Sequence, residues 1–465
     1  MSYDAVIIGA GLSGLASAIR LAHFGRHVRI FERHVLPGGL NSWYSRRGAE
    51  IDVGLHALTN FQPPSHRNAP LNKLWRQLRL RPESLELCPQ NFSLIEFPRH
   101  SCRFSNDFSL FADELAREFP AAQEAFSHLL AKLDAWDPFL PETPWHSTRA
   151  VCEELEVPRS LQDFLLLPCM YYGSPEADDM DFSQFCILYR SIFQEGLARP
   201  RLGIRPLLAA LLERLRETGA ELSLGLGVRR ILTQNGQVCG VEDDQGHTWE
   251  TPCVLSCAGA RETGAICQET ATALNAAPTG QLTFIECLFQ LDRPPSAFGM
   301  DWSLLFCCEE DEFSFRPPET SVGQGSVLLC APGNYCGCEG SAAANVLRLT
   351  RLASPNWWFQ AEDACYRAEK QRVLDSQLGW LDSRWPGLRD SVRGMSMATP
   401  RTVRRFTGHL NGAIYGSPRK WRSGLTDIKN LFLLGTDQGY LGIVGALLSG
   451  TVVTNRHLLQ QSPTT

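Results

Sequence analysis

A chain of 465 residues is long enough for two domains of ordinary size, or one large interleaved pair, and for a sizeable core. Its 44 Lys and Arg against 50 Asp and Glu leave a net charge of −6, which excludes a nucleic-acid binder that works by neutralising phosphates. With 44 % hydrophobic and 20 % charged residues, the chain is too apolar for intrinsic disorder and too polar for a bundle of membrane spans.

The chain opens MSYDAVIIGAG, with no basic segment ahead of an apolar stretch and no small-residue cleavage site. A cytoplasmic protein is therefore expected, and its 16 cysteines are read as free thiols. Residues Asp4 to Ile8 predict a buried strand, followed at once by Gly9-Ala10-Gly11-Leu12-Ser13-Gly14 and a helical stretch, LASAIRLAHFG. A lone G-x-G-x-x-G is weak evidence, but this one has a strand before it and a helix after it. Gly9 permits the tight turn, Gly11 admits a pyrophosphate against the backbone, and Gly14 with Ala18 lets the helix lie close to the strand. The next strand, HVRIFE, ends at Glu32, eighteen residues past Gly14, where a carboxylate can accept hydrogen bonds from the ribose hydroxyls of an adenosine and would repel a 2′-phosphate. After it come the doublet Gly38-Gly39, then Leu40, an extended stretch, AEIDVG, and His56.

Helical periodicity follows from Phe108 to Trp136, from Pro206, and from Glu362 to the break at Pro386. Between the last two lies a strand, then Val228 opening an exposed strand, a hairpin at Asn235-Gly236, and small residues Ala258-Gly259. The runs TFIECLFQL, WSLLFCC and SVLLCA, spaced by turn residues, predict an antiparallel sheet in a second domain. Near the C-terminus, Asn430 to Leu434 predict a buried strand that delivers Asp437 to a glycine-rich turn, with a helix beginning at about Gly442. The N–H groups of Ile443 and Val444 open that helix, whose positive end can face a developing negative charge. Cys336-Gly337-Cys338 and Cys307-Cys308 have no second pair at zinc spacing, so no metal is expected.

The doublet Gly38-Gly39 after the acidic strand end resembles the glutathione-reductase-type FAD-binding families. The resemblance implies FAD as cofactor and an α/β fold: a discontinuous FAD-binding Rossmann-like domain of residues 1–60, 200–265 and 395–465. An inserted α+β substrate domain would take residues 61–199 and 266–394. That pattern puts Arg where this chain has Leu40, so the phosphate-neutralising contact falls to Arg33 or Arg46. It also implies that Val228 meets the adenine through its main chain and that Ala258 and Gly259 end a strand over the cofactor. Asp437 would hydrogen-bond ribityl or pyrophosphate oxygens, and Gly442, Ile443 and Val444 would face the flavin. The segment TPRTVRRFTGHLNGAIYG from Thr399, with LGWLDSRWPGL from Leu378, resembles the phytoene desaturase, carotenoid isomerase and retinol saturase branch.

That branch implies an oxidoreductase acting on a long apolar polyene, a carotenoid or another isoprenoid or polyunsaturated acyl lipid. Desaturation, saturation and redox-neutral isomerisation are all open, as is the electron partner: a quinone, oxygen or a transiently bound nicotinamide. His56 falls where the chain passes the flavin ring and is a candidate acid or base; Tyr415 is a second candidate at the substrate. The alternatives are a flavin amine oxidase and a non-catalytic FAD-stabilised lipid-binding protein. The first loses weight because none of the five lysines, Lys73, Lys132, Lys370, Lys420 and Lys429, sits in the three candidate substrate strands. Peripheral membrane contact is expected through an exposed apolar patch such as Leu161 to Tyr172.

Overall fold

A computed structural model describes residues 2–46 and 49–460. Short apolar runs near the two chain ends and in the middle assemble into one five-stranded sheet. Its order is Leu431–Leu433, Val254–Ser256, Ala5–Ile8, Val28–Glu32, Glu221–Leu224. All four pairings are parallel. Parallel strands are covered on both faces, which is why Val6, Ile7 and Leu255 are all fully buried.

On one face lie three helices, Leu12–His23, Arg205–Glu217 and Gly442–Thr454, whose Leu15, Ile19, Leu207, Leu211 and Leu447 share a core with Ile7 and Ile30. On the other, Val6, Ile8 and Phe31 pack with Ile231, Val238 and Val241 of a three-stranded antiparallel sheet. The hairpin of that sheet turns at Asn235 and Gly236, both with positive φ, as the Asn-Gly pair requires. The first and last helices touch backbone to backbone. A Cβ on Gly450 would fall 2.0 Å from the Ser13 carbonyl, and Ser17 and Thr454 hydroxyls meet at 2.7 Å. Sequence ends more than four hundred residues apart are thereby clamped beside each other.

The second sheet has seven strands. Its order is Val392–Ala398, Thr283–Leu291, Val346–Ala353, Ser326–Cys330, Leu304–Cys308, Ser93–Glu96, Ser101–Phe104. It is antiparallel except where Leu304–Cys308 runs parallel to Ser93–Glu96. One face packs on the long helix Asp363–Arg384 through Ile285, Leu349 and Leu378. The other faces a helical layer through Phe284, Phe306 and Leu328.

Two expectations are corrected. The periodic stretch from Phe108 is two helices, Phe108–Glu118 and Gln123–Ala135, because Pro120 cannot continue the first. The run Leu161 to Tyr172 is no surface patch: it lies in the helix Arg159–Gly173, and every residue from Leu161 to Tyr171 is buried. Even Asp163 there is 1 % exposed, held by Arg149 at 2.7 Å. A helix apolar on all sides belongs inside a protein.

Candidate active site

The strand-to-helix turn after Ala5–Ile8 opens one wall of a cavity of about 580 Å³ that runs on between the two sheets. Gly9, Gly11 and Ser13 line it from the turn, Glu32 and Arg33 from the end of the second strand, and Gly38, Gly39 and Leu40 from the doublet. Val228, Ala258, Gly442 and Ile443 join them, as do His56 and Tyr415. Ala10, Gly14, Gly259, Asp437 and Val444 do not line it.

Each absence has a local cause. Ala10 turns its N–H to Glu32 Oε2 at 2.8 Å, so its part is to aim the carboxylate. Gly14 is a packing residue: a Cβ there would fall 2.1 Å from the Gly9 carbonyl oxygen and 3.2 Å from Cys257 Sγ. Val444 is buried in the helix-side core. Asp437 is 3 % exposed, and its two oxygens accept from Ala260 N at 2.6 Å and Ser417 N at 2.7 Å. Its carboxylate ties the turn at Gly259, where φ is 101°, to the segment entering the last strand. The side chain of Arg46 lies outside the described residues, whereas the Arg33 guanidinium lies against Gly408 at the cavity edge.

The cradle fits a dinucleotide. At Gly11 a Cβ would meet nothing within 4 Å, so open space lies where a pyrophosphate needs to approach the backbone. Two helices, Leu12–His23 and Gly442–Thr454, present N-termini with no side-chain cap, both in the cavity wall. Their free N–H groups and dipoles favour negative charge there. Glu32 spends one hydrogen bond per oxygen, on Ala10 N and His34 N, both at 2.8 Å, and keeps lone pairs for ribose hydroxyls. FAD placed by these residues would have its adenosine at Glu32 and Val228, its pyrophosphate at Gly11 and the first helix, and its ring toward Gly442, Ile443 and His56.

Beyond His56 the wall turns apolar and aromatic, with Tyr171, Tyr172, Phe284, Leu328, Ile414 and Tyr415. The Tyr415 hydroxyl is spent on the Tyr171 carbonyl, and burial raises its pKa. His56 Nε2 stands 3.2 Å from Thr350 Oγ1 and 3.5 Å from Glu286 Oε1. Burial lowers the His56 pKa, with Arg348 acting in the same sense and Glu286 against it. Burial alone would raise the Glu286 pKa, but Arg348 and His56 outweigh it and hold the carboxyl below its usual range. Arg348 grips Glu286 Oε1, and it also donates to the Val53 carbonyl at 2.6 Å and to that of Leu55, fixing the segment that carries His56. Arg199 bonds Asp52 and the carbonyls of Leu55 and His56 from the other side.

Glu286, Thr350, Arg348 and Arg199 were not singled out from the sequence. The available signal was a single acid inside TFIECLFQL and two arginines inside VLRLTRLA, charges in strands that otherwise read as core. Register completes the cluster: Glu286 pairs with Thr350 and Leu288 with Arg348 across adjacent strands.

A profile of the NAD(P)-binding Rossmann-like domain matches residues 7–78. Over nearly its whole length the chain is similar to three curated proteins. Prolycopene isomerase 2, chloroplastic, of an Oncidium hybrid cultivar is 22 % identical over 98 % of this chain and 83 % of its own length. All-trans-retinol 13,14-reductase of Danio rerio is 23 % identical over 98 % and 86 %. Hydroxyneurosporene desaturase of Rhodobacter capsulatus is 26 % identical over 96 % of each. Among solved structures, an oxidoreductase from Methanosarcina mazei superposes with a TM-score of 0.65 at 17 % identity, covering 97 % of this chain and 100 % of that one. A putrescine oxidase superposes at 0.62 with 14 % identity over 98 % of each chain, a likeness of fold alone. In the dinucleotide cradle, the apolar extension of the cavity and the full-length similarity to these enzymes, the chain resembles the FAD-dependent phytoene desaturase, carotenoid isomerase and retinol saturase-like oxidoreductases.

Proposed function

We propose that this protein is an FAD-dependent oxidoreductase that acts on the double bonds of a long apolar polyene, a carotenoid or another isoprenoid or polyunsaturated acyl lipid, as a desaturase, saturase or redox-neutral isomerase. The observation that carries this reading is continuity: one cavity is lined at one end by Gly11 and Glu32 and at the other by Tyr172, Phe284 and Leu328. When bound, FAD supplies hydride chemistry at its ring. The chain supplies position and dryness: the aromatic wall orients an extended apolar chain and excludes water that would compete with hydride transfer. The division into a cofactor unit of residues 1–60, 200–265 and 395–465 and a substrate unit of 61–199 and 266–394 is supported by the first sheet. All five of its strands fall in the former.

The amine-oxidase alternative is disfavoured because no lysine lines the cavity among the described residues. Lys420, which is bonded beside the cavity-wall residues Tyr415 and Thr436, spends its ammonium on their carbonyls. No helix of the described residues is long and apolar enough to cross a membrane. For peripheral contact the supporting surface is Phe139, Leu140 and Trp145, respectively 47 %, 53 % and 52 % exposed on one loop. The Phe139 ring lies tilted against Tyr440, a residue of the cavity wall, with centroids 5.9 Å apart, so a lipid-bound polyene would meet the loop and the cavity together.

The test is anaerobic. The FAD-loaded protein is mixed with carotenoid, squalene-type and polyenoic acyl substrates, following flavin absorbance and product mass. Loss of two hydrogens, gain of two, or a changed double-bond geometry at constant mass identifies the reaction; no change with any polyene contradicts the reading.

A further inference from the structure

Within an otherwise apolar stretch of wall, His56, Glu286 and Thr350 stand together. Nε2 of His56 faces two oxygens, Thr350 Oγ1 at 3.2 Å and Glu286 Oε1 at 3.5 Å, whereas Nδ1 has no partner among the described residues and is not closed off from the cavity. A carboxylate only accepts, so the neutral ring places its hydrogen on Nε2 and leaves the Nδ1 lone pair open. All the contacts of Glu286 are made by Oε1, to Arg348 and His56. This anion is therefore fixed against the imidazole by the fold itself.

We propose that His56 and Glu286 form a proton-transfer dyad, in which His56 Nδ1 takes or gives the substrate proton and Glu286 positions the ring and stabilises the imidazolium. The inference rests on the polyene-oxidoreductase reading. In the dehydrogenating direction one carbon gives up a hydride to a flavin-class acceptor. The C–H bond of its neighbour then breaks: the proton goes to Nδ1 and the electron pair becomes the new π bond. His56 thereby gains a positive charge beside Glu286, and the 3.5 Å contact becomes a full ion pair. In the saturating direction the same proton is returned to carbon. Thr350 holds Nε2, and Arg348 keeps Glu286 ionised, so both are positioning residues.

The other groups around His56 set its titration. They are Arg348 on the neighbouring strand, Arg199 with its partner Asp52, the Tyr335 hydroxyl at 3.3 Å from the His56 carbonyl, the Cys330 thiol at 3.9 Å from the same oxygen, and Tyr172 across the cavity. Arg348 and Arg199 oppose a charge on His56, whereas Glu286 favours it; Arg348 is itself paired with Glu286, and Arg199 with Asp52.

The experiment combines two readouts on FAD-loaded wild type, His56→Asn and Glu286→Gln. The first needs no substrate: proton and nitrogen resonances of the histidine rings are titrated, with His56 assigned by its absence in H56N. Because Glu286 favours the charged ring, E286Q is expected to move the His56 midpoint to lower pH. The second is the pH profile of single-turnover flavin bleaching by a polyene that reacts with wild type. Wild type should show an acid limb at the His56 midpoint, E286Q a rate about 100-fold lower with the limb moved to the same lower pH, and H56N no limb. If the rate falls but the limb stays, or if the histidine midpoint is unmoved, the dyad is overturned. Should E286Q fail to retain FAD, Glu286→Asp replaces it, with a smaller shift in the same direction expected and an unshifted limb counting against the dyad. If wild type reacts with no polyene at all, the functional reading fails instead, and the resonance titration still decides whether His56 and Glu286 are coupled.

Discussion

Replacing Gly11 by alanine should leave the fold intact and weaken cofactor binding, whereas the same change at Gly14 should destabilise the fold itself. Gly11 has φ −65° and ψ 172°, which alanine adopts freely, and its added Cβ would touch nothing in the protein within 4 Å. Its effect on the fold is therefore a small gain, about 0.4–1 kcal/mol from the stiffer unfolded chain. The methyl group would occupy the space through which a pyrophosphate approaches the helix N-terminus. Losing one charge-assisted N–H bond to phosphate costs about 1.5–3 kcal/mol, which weakens FAD binding about 10- to 150-fold. At Gly14 the Cβ would collide with the Gly9 carbonyl oxygen at 2.1 Å, a backbone atom that moves only if helix and strand separate. Overpacking of this kind costs about 1–3 kcal/mol of stability. Urea denaturation of the FAD-free proteins and flavin fluorescence titration separate the two effects. A Gly11→Ala protein that is as stable as wild type and binds FAD equally well would refute the cradle.

Three further outcomes follow from named contacts. Tyr415→Phe strands the buried Tyr171 carbonyl and should lower stability by about 1–3 kcal/mol in urea denaturation, with the acid limb of flavin bleaching kept at the wild-type pH; a displaced limb would make Tyr415 part of the proton path. Burial brings the Lys420 pKa down to about 8 against the pull of Asp437 and Glu176, so its charge is a cost to the folded state below that pH, relieved as pH rises toward the unfolded value of 10.5. Wild type should gain stability relative to Lys420→Met between pH 7 and about 9.5, and parallel curves would contradict this. Changing Phe139, Leu140 and Trp145 together to serine should lower pelleting with phosphatidylcholine vesicles at least about tenfold, and undiminished pelleting would remove this loop as the contact.

The nucleotide cradle was legible in the sequence because its parts are local: strand, glycine turn, helix and acid follow one another within Asp4 to Glu32. The helix that begins at Gly442 was legible for the same reason, since Gly442 and Ile443 reach the cavity by opening a helix, a property of neighbouring residues. The orientation of Asp437 was not, because its acceptors' partners, Ala260 and Ser417, arrive from different parts of the chain. Nor was the His56–Glu286–Thr350 cluster, which depends on a strand register joining residues 286 and 350 and on a loop held down by two arginines. The helix Arg159–Gly173 could have been placed correctly from its apolar residues on every face; composition alone suggested a patch, and the all-round distribution requires burial.

The most direct test of the account is the identity of the cofactor. The purified protein should bind a single flavin, and denaturation should release FAD, since on the proposed reading Glu32 and Val228 would hold the adenosine and the helix from Gly442 would face the ring, and all three line the one cavity. Release of FMN, retention of NAD(P) with no flavin, or a colourless protein that takes up no FAD on titration would contradict it.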